Sequence, residues 1–282
     1  MTKIVLFYFS GTGNTKWVCE TMTNHLANRE DLTSLPLPID RLNRTITSKF
    51  VEATDILGIA FPIYGGAPPE IMIEFIKTIP PTNNKRALII CTQAHISFNG
   101  GHAVVDILKS KGYDVEWCIY IKMPNSLCIS QFPYTLFKYS NDPKYISPIL
   151  KKAKKRIQLI CSRILKGKSY KQGFLPFSKI FGGLYRLICK DRFKNKLSIM
   201  NKNCTDCNIC SENCPMHCIK IVGGCRTIGK ECTSCMRCYN FCPNNDILFS
   251  NVQFRLKYGS PYHGPDGTNT LKKASTTDKS TK

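Results

Sequence analysis

The sequence lacks an apolar run long enough to cross a bilayer: the best candidate, Ile56 to Tyr64, is about half the roughly eighteen residues a spanning helix needs. No export leader is expected: Lys3 is the only charged residue before the apolar stretch Ile4–Phe9, which enters a glycine turn with no small-residue cleavage site, and a cytoplasmic location is expected. Acidic residues are few, 19 Asp and Glu against 40 Lys and Arg, for a net charge of +21. Such an excess points to a polyanionic or acidic partner. It is uneven: Lys144 to Lys202 holds seventeen basic residues and one acidic, Asp191, and the remainder is close to balanced. What the chain has in plenty is cysteine. Sixteen in 282 residues without an export signal argue for metal ligands rather than a disulfide scaffold. With 43% hydrophobic residues the chain can bury one large core or two small ones and is not wholly disordered.

From residue 1 to about 125, short β-type apolar runs alternate with helical patterns. Ile4–Phe9, Ile56–Phe61, Ala87–Cys91 and Val115–Ile121 read as strands; Thr15–Ala27, Pro69–Ile79 and Gly101–Lys111 read as helices. That order predicts an α/β fold with a doubly wound parallel sheet. A further strand at Leu32–Leu37 is weakened by Pro36 and Pro38. Residues 143–168 place Ile146, Ile149, Leu150, Ala153, Ile157, Ile160 and Ile164 at helical spacing, the last helix of the sheet domain. The predicted organisation is a sheet domain over 1–168, a basic connector over 169–198, a cysteine-dense domain over 199–252 and a polar, disordered tail over 253–282.

The first strand ends in Ser10-Gly11-Thr12-Gly13-Asn14-Thr15 and enters a helix. Glycines let such a turn aim successive N–H groups inward, and the helix N-terminus favours an anion. Hydroxyls of Ser10, Thr12 and Thr15 and the Asn14 amide add donors. No Lys follows the second glycine, so this is not a nucleoside-triphosphate loop, and Lys16 stands where a dinucleotide fingerprint has its third glycine. Hydroxyls and amides without a cation suit a monophosphate carried on a larger cofactor. A loop of this kind directly after the first strand resembles the flavodoxin family. The resemblance implies bound FMN, its ring at the carboxyl ends of the strands. Two loops there are candidates to edge the ring: Pro62-Ile63-Tyr64-Gly65-Gly66, with Tyr64 stacking on the ring and the glycines allowing backbone approach, and Thr92-Gln93-Ala94-His95 with Asn99-Gly100-Gly101. His95 reads as a surface loop residue rather than a proton donor.

Cys204, Cys207, Cys210 and Cys214-Pro215 follow C-x-x-C-x-x-C-x-x-x-C-P, and Cys232, Cys235, Cys238 and Cys242-Pro243 repeat it twenty-eight residues on. Zinc sites use pairs of C-x-x-C rather than such triplets. The pattern resembles the bacterial two-cluster ferredoxins. That resemblance implies one 4Fe–4S cluster on Cys204, Cys207, Cys210 and Cys242, and another on Cys232, Cys235, Cys238 and Cys214. Ile209, Ile219, Ile221, Met236, Phe241, Ile247 and Phe249 would wall the clusters from water. Cys218 reads as a small packed residue; Asp246 either shifts the potential of the second cluster or faces solvent. Cys19, Cys91, Cys118, Cys128, Cys161, Cys189 and Cys225 lack ligand spacing and read as buried thiols.

Together the chain resembles a flavodoxin–ferredoxin fusion, an α/β domain followed by a small α+β two-cluster domain. The resemblance implies an electron-transfer flavoprotein passing single electrons between two clusters and FMN, and on to or from a redox partner, with no catalytic acid or nucleophile needed. Two readings of other classes stand beside it. One is an FMN-dependent reductase of a small acceptor such as a quinone. The other is a nucleic-acid or anionic-membrane binder, with the clusters serving structure or sensing. Tyr170, Phe174, Phe177, Phe181 and Tyr185 show no RNA-binding signature, so the basic stretch is read as docking an acidic redox protein.

Overall fold

The structure, a computed structural model, describes residues 2–27, 32–95, 97, 99–127, 142–172, 183, 196–253 and 261–267. The connector positions Phe174, Phe177, Phe181 and Tyr185, the cysteines Cys128 and Cys189, and most of the tail lie outside the described residues.

The first half builds one parallel sheet. Strands β1 (Thr2–Tyr8), β2 (Leu32–Pro38), β3 (Ile56–Pro62), β4 (Lys85–Gln93) and β5 (Tyr113–Lys122) stand in the order β2-β1-β3-β4-β5, and a short β6 (Tyr170–Lys171) extends the β5 edge. β3 is buried at all seven positions because it has a neighbour on each side and helices on each face, hence its unbroken apolar run. Pro36 and Pro38 do not stop β2, which pairs with β1 over its whole length. It is an edge strand, whose open side tolerates a missing N–H.

Along β1 the side chains divide by period two. Ile4, Leu6 and Tyr8 enter a core with Trp17, Val18, Leu26, Ala153, Ile157 and Ile160. Val5 and Phe7 enter the opposite core with Val51, Met72, Ile76, Val104 and Leu108. Helices α1 (Asn14–Leu26) and α5 (Pro143–Leu165) therefore cover one face. The other is covered by α2 (Arg44–Ala53), α3 (Glu70–Thr78) and α4 (His102–Ser110). α2 is an addition to the sequence reading: it buries only Thr47 and Val51, too weak a stripe to read, although Asn43 caps it by accepting from the Ile46 N–H at 2.9 Å.

The second half is a small cysteine-rich unit. β7 (Leu197–Ile199) pairs antiparallel with β10 (Ile247–Phe249), which also pairs with β11 (Val252–Gln253); β8 (Ile219–Val222) and β9 (Cys225–Ile228) form a hairpin. Two short helices, α6 (Ile209–Glu212) and α7 (Arg237–Phe241), complete it. The twenty-eight-residue repeat of the cysteines recurs in the backbone. Left-handed residues Asp206, Asn208 and His217 in the first run match Ser234, Met236 and Asn245 in the second. Among the described residues its apolar cluster is Leu197, Met236, Tyr239, Ile247 and Phe249 with a few partly buried neighbours. So small a core needs another source of cohesion.

Three boundaries differ from expectation. The sheet runs past position 168 through β6, and the cysteine-rich unit starts by Leu197 rather than at 199. The tail is not wholly loose. Tyr262 is fully buried, its N–H donating to Asn240 Oδ1 at 3.0 Å, and His263 stacks on Phe241.

Candidate functional site

The carboxyl ends of β1, β3, β4 and β5 open onto one cleft. Its lining begins with Ser10, Gly11, Thr12, Asn14 and Thr15 at the head of α1. Gly13 is the helix N-cap, its φ of 105° in the left-handed region, and no side chain caps the first turn. The second wall is Pro62 to Gly66. Tyr64 and Ala67 exchange both backbone hydrogen bonds, at 2.9 and 3.0 Å, around Gly65 and Gly66, whose φ values are 55° and 83°. The two glycines thus serve a tight turn that needs left-handed residues at both centres. The third wall carries Thr92, Gln93, Ala94 and His95. Burial pushes the His95 imidazole pKa down, with Lys122 adding to the effect, so the ring favours its neutral form.

The expected residues meet in one place, with adjustments. Gly100 and Gly101 do not line the cleft. They pack behind it, where a Cβ on Gly100 would stand 2.9 Å from Gly66 O, and one on Gly101 would stand 2.8 Å from Cys91 Sγ. The Asn14 side chain is already used, its amide donating to Pro124 O at 2.9 Å and its oxygen accepting from the Tyr262 hydroxyl at 2.6 Å. The Thr15 and Thr92 hydroxyls share a hydrogen bond of 2.8 Å, tying the loop to β4. Ser10 Oγ accepts from the Gly13 N–H at 3.2 Å, leaving its proton free to donate. Among the described lining residues there is no Asp or Glu, which suits an anionic guest.

Ser97 and two groups of lining residues were not read from the sequence. Met123 to Leu127 follow β5; the rule that ligands sit at strand carboxyl ends would have admitted them. Ser234 and Met236 come from the cysteine-rich unit, and no local signal announces them.

The same short segment brings the cysteines to the cleft. Cys235 O lies so near the phosphate-type loop that a Cβ on Gly11 would stand 2.2 Å from it. Arg237 seals the contact. Its guanidinium donates to Ser10 O at 2.8 Å, Gly11 O at 3.3 Å, Asn213 O at 2.9 Å and the Asp40 carboxylate at 2.8 Å.

The eight motif cysteines fall into two groups, each around a hollow. Cys214, Cys232, Cys235 and Cys238 line one. Cys204, Cys207, Cys210 and Cys242 line another. Each group takes three cysteines from one run and the fourth from the other. Among the described residues no three His, Cys, Asp or Glu side chains converge as a metal-ion site.

Cys218 is buried as expected, but it also lines the first hollow, its Sγ 3.5 Å from Cys214 Sγ. Hydrogen bonding from Cys218 pulls the Cys214 thiol down to about 5 and the Cys232 thiol to about 7, while burial pushes Cys235 up to about 11. Asp246 occupies the equivalent place in the repeat. It is 1% exposed and lines the hollow of Cys204, so it neither faces solvent nor adjoins the second run's triplet.

Other expectations need correction. Ile221 is 61% exposed and walls nothing, whereas Ile219, Met236, Ile247 and Phe249 are buried. Cys225 is exposed at the β8–β9 turn, while Cys19, Cys91, Cys118 and Cys161 are buried thiols. Tyr170, expected among connector aromatics, packs on the sheet core under the Arg156 and Arg163 guanidinium groups.

No protein-family model matches the sequence, and no curated protein matches it. Solved structures do. A short-chain flavodoxin associated with a bacterial microcompartment is 17% identical, with 56% of this chain and 99% of that one covered at a TM-score of 0.37. A flavodoxin from the domain Archaea is 13% identical, covering 58% and 99% at 0.38. The two-electron reduced flavodoxin of Megasphaera elsdenii is 17% identical, covering 57% and 99% at 0.38. The sheet order and two-faced helix packing described above are those of a flavodoxin-like α/β fold. Among the described residues, no helix is long and apolar enough to cross a membrane.

Proposed function

We propose that the chain is an electron-transfer iron–sulfur flavoprotein, with FMN in the cleft and two 4Fe–4S clusters in the cysteine-lined hollows. The observation that carries this reading is the crossed grouping of the eight cysteines, with one group sharing its loop with the cleft. Cys232, Cys235 and Cys238 stand in the segment whose Ser234 and Met236 line the cleft. The bound groups would supply one-electron chemistry at the clusters and one- or two-electron chemistry at the flavin.

The chain's own residues do the positioning. Ser10, Thr12 and the head of α1 receive the phosphate; Thr92 holds Thr15 in place; Tyr64 and Met123 to Leu127 bound the ring space. Cys214, Cys232, Cys235 and Cys238 hold the cluster next to the cleft, and Cys204, Cys207, Cys210 and Cys242 the one farther along the unit. Residues up to about 172 form the flavin domain in this reading, and 196–253 the cluster domain. Exposed Lys151, Lys152, Lys154 and Lys155 on α5 offer a docking face for an acidic redox protein.

Anaerobic purification with iron, sulfide and flavin analysis tests the proposal, followed by EPR of the reduced protein. About eight iron atoms and one FMN per chain are expected. Cys242→Ala should abolish the same EPR signal as Cys204→Ala, despite lying in the other run. Zinc in place of iron, or loss of the Cys232 signal in Cys242→Ala, would overturn it.

A further inference from the structure

The hairpin β8–β9 turns one charged side chain inward. Arg226 is 4% exposed, although Cys225 beside it is exposed. Asn201 grips its backbone from both sides: Arg226 N–H donates to Asn201 Oδ1 at 2.8 Å, and Asn201 Nδ2 donates to Arg226 O at 3.0 Å. The side chain is thereby aimed into the hollow lined by Cys204, Cys207, Cys210 and Cys242. There Nη1 donates to Cys204 Sγ at 3.2 Å and to the Asp206 carboxylate, and Nη2 donates to Asn208 Oδ1 at 2.7 Å. Nε is buried and has no acceptor among the described residues.

A buried guanidinium is costly unless paired, and Asp206, its ionic partner, is 72% exposed and so a screened counter-charge. The other hollow is also lined by a guanidinium, Arg237, but that one spends its N–H groups on Ser10, Gly11, Asn213 and Asp40. Among the described residues the two hollows therefore differ in that Arg226 donates to a cysteine sulfur and Arg237 does not.

We propose that Arg226, by donating to Cys204 Sγ, raises the reduction potential of the cluster held by Cys204, Cys207, Cys210 and Cys242. This rests on the cluster reading above. Reduction adds one electron to a group already carrying four thiolates, and a cation with an N–H against one of those sulfurs stabilises the reduced form more than the oxidised. The buried Nε–H is a further donor available to that group. Asp206, from the solvent side, and the buried Asp246 carboxylate, which lines the same hollow, offset part of the effect.

An EPR-monitored redox titration of the anaerobic holoprotein, wild type against Arg226→Gln, Arg226→Lys and Asp206→Asn, tests this. The signal of the Cys204 group is assigned as the one altered by Cys204→Ser. Arg226→Gln should shift its reduction equilibrium at least tenfold toward the oxidised form, about 59 mV for one electron, and leave the other cluster in place. Arg226→Lys should shift it less, and Asp206→Asn should move it the opposite way. Asn keeps the left-handed backbone at 206, so that variant folds even if Arg226→Gln loses its cluster, and its upward shift or lack of one then decides. Two wild-type clusters whose potentials ignore both Arg226→Lys and Asp206→Asn, or move together, would overturn the inference. Absence of two cluster signals in the wild type would instead overturn the function it rests on.

Discussion

Replacing Arg237 with Met should uncouple the two halves of the protein. Arg237 and Asp40 are 12% and 11% exposed, and their 2.8 Å ion pair joins positions 197 residues apart. The same guanidinium serves three backbone carbonyls, two of them in the loop that opens the cleft. Losing one member leaves a buried carboxylate and three carbonyls without their donor. Breaking a buried pair in this way costs about 3–5 kcal/mol. In the docking equilibrium that is a factor of roughly 100 or more, since 1.4 kcal/mol is tenfold. Hydrogen–deuterium exchange of the holoprotein reads it locally. Amides of residues 10–13 and 234–237 should exchange about 100-fold faster, with little change in the strand β3. Asp40→Asn keeps an acceptor and should cost less. The double variant Arg237→Met with Asp40→Leu should recover much of the loss, because an apolar pair carries no stranded charge. An Arg237→Met protein whose loop amides exchange within threefold of wild type would refute the reasoning. So would a double variant as disrupted as the two singles summed.

Gly11→Ala should open the same contact sterically. Its Cβ would meet Cys235 O at 2.2 Å, and a backbone oxygen cannot rotate away, so faster exchange at residues 234–237 with unchanged iron content is expected. Tyr262→Phe removes a 2.6 Å bond to Asn14 worth about 1 kcal/mol, which should weaken FMN about fivefold in a flavin-fluorescence titration; an unchanged affinity would detach the tail from the cleft. The folded state holds the His95 imidazole below its ordinary 6.5, so its contribution to stability is present above 6.5 and is lost as pH falls through the folded value. Thermal midpoints at about pH 7 and pH 5 should accordingly converge in His95→Gln relative to wild type.

How much of this was readable in the chain depends on distance along it. The unbroken apolar run of residues 4–9 reads as a strand, and in the structure Ile4 and Leu6 enter one core while Val5 and Phe7 enter the other. The loop after the first strand and the fully apolar third strand follow from the same short-range rules. Pro36 misled because a proline disfavours a strand only where a neighbour needs its N–H, and edge position is a tertiary fact. Gly65 and Gly66 line the cleft in a turn that needs positive φ at both, whereas the sequence reading makes them openings for backbone approach. Gly100 and Gly101 stand between β4 and a helix, and sequence proximity to Gln93 does not tell a lining residue from one packed behind it.

By itself the sequence determined whatever acts over a few residues: strand and helix periodicity, the glycine–hydroxyl loop heading α1, and two cysteine runs of equal spacing. Tertiary structure alone decided which hollow faces the cleft, through Ser234, Met236 and Cys235 against Gly11. It also decided that Arg237 reaches back 226 residues to that loop, that Tyr262 closes over Asn14, and that Arg226 belongs to the other group of cysteines. The physical reason is the same in each case. Hydrogen bonds and ion pairs between distant segments depend on how two surfaces meet, and neither charge nor spacing in one segment specifies the other.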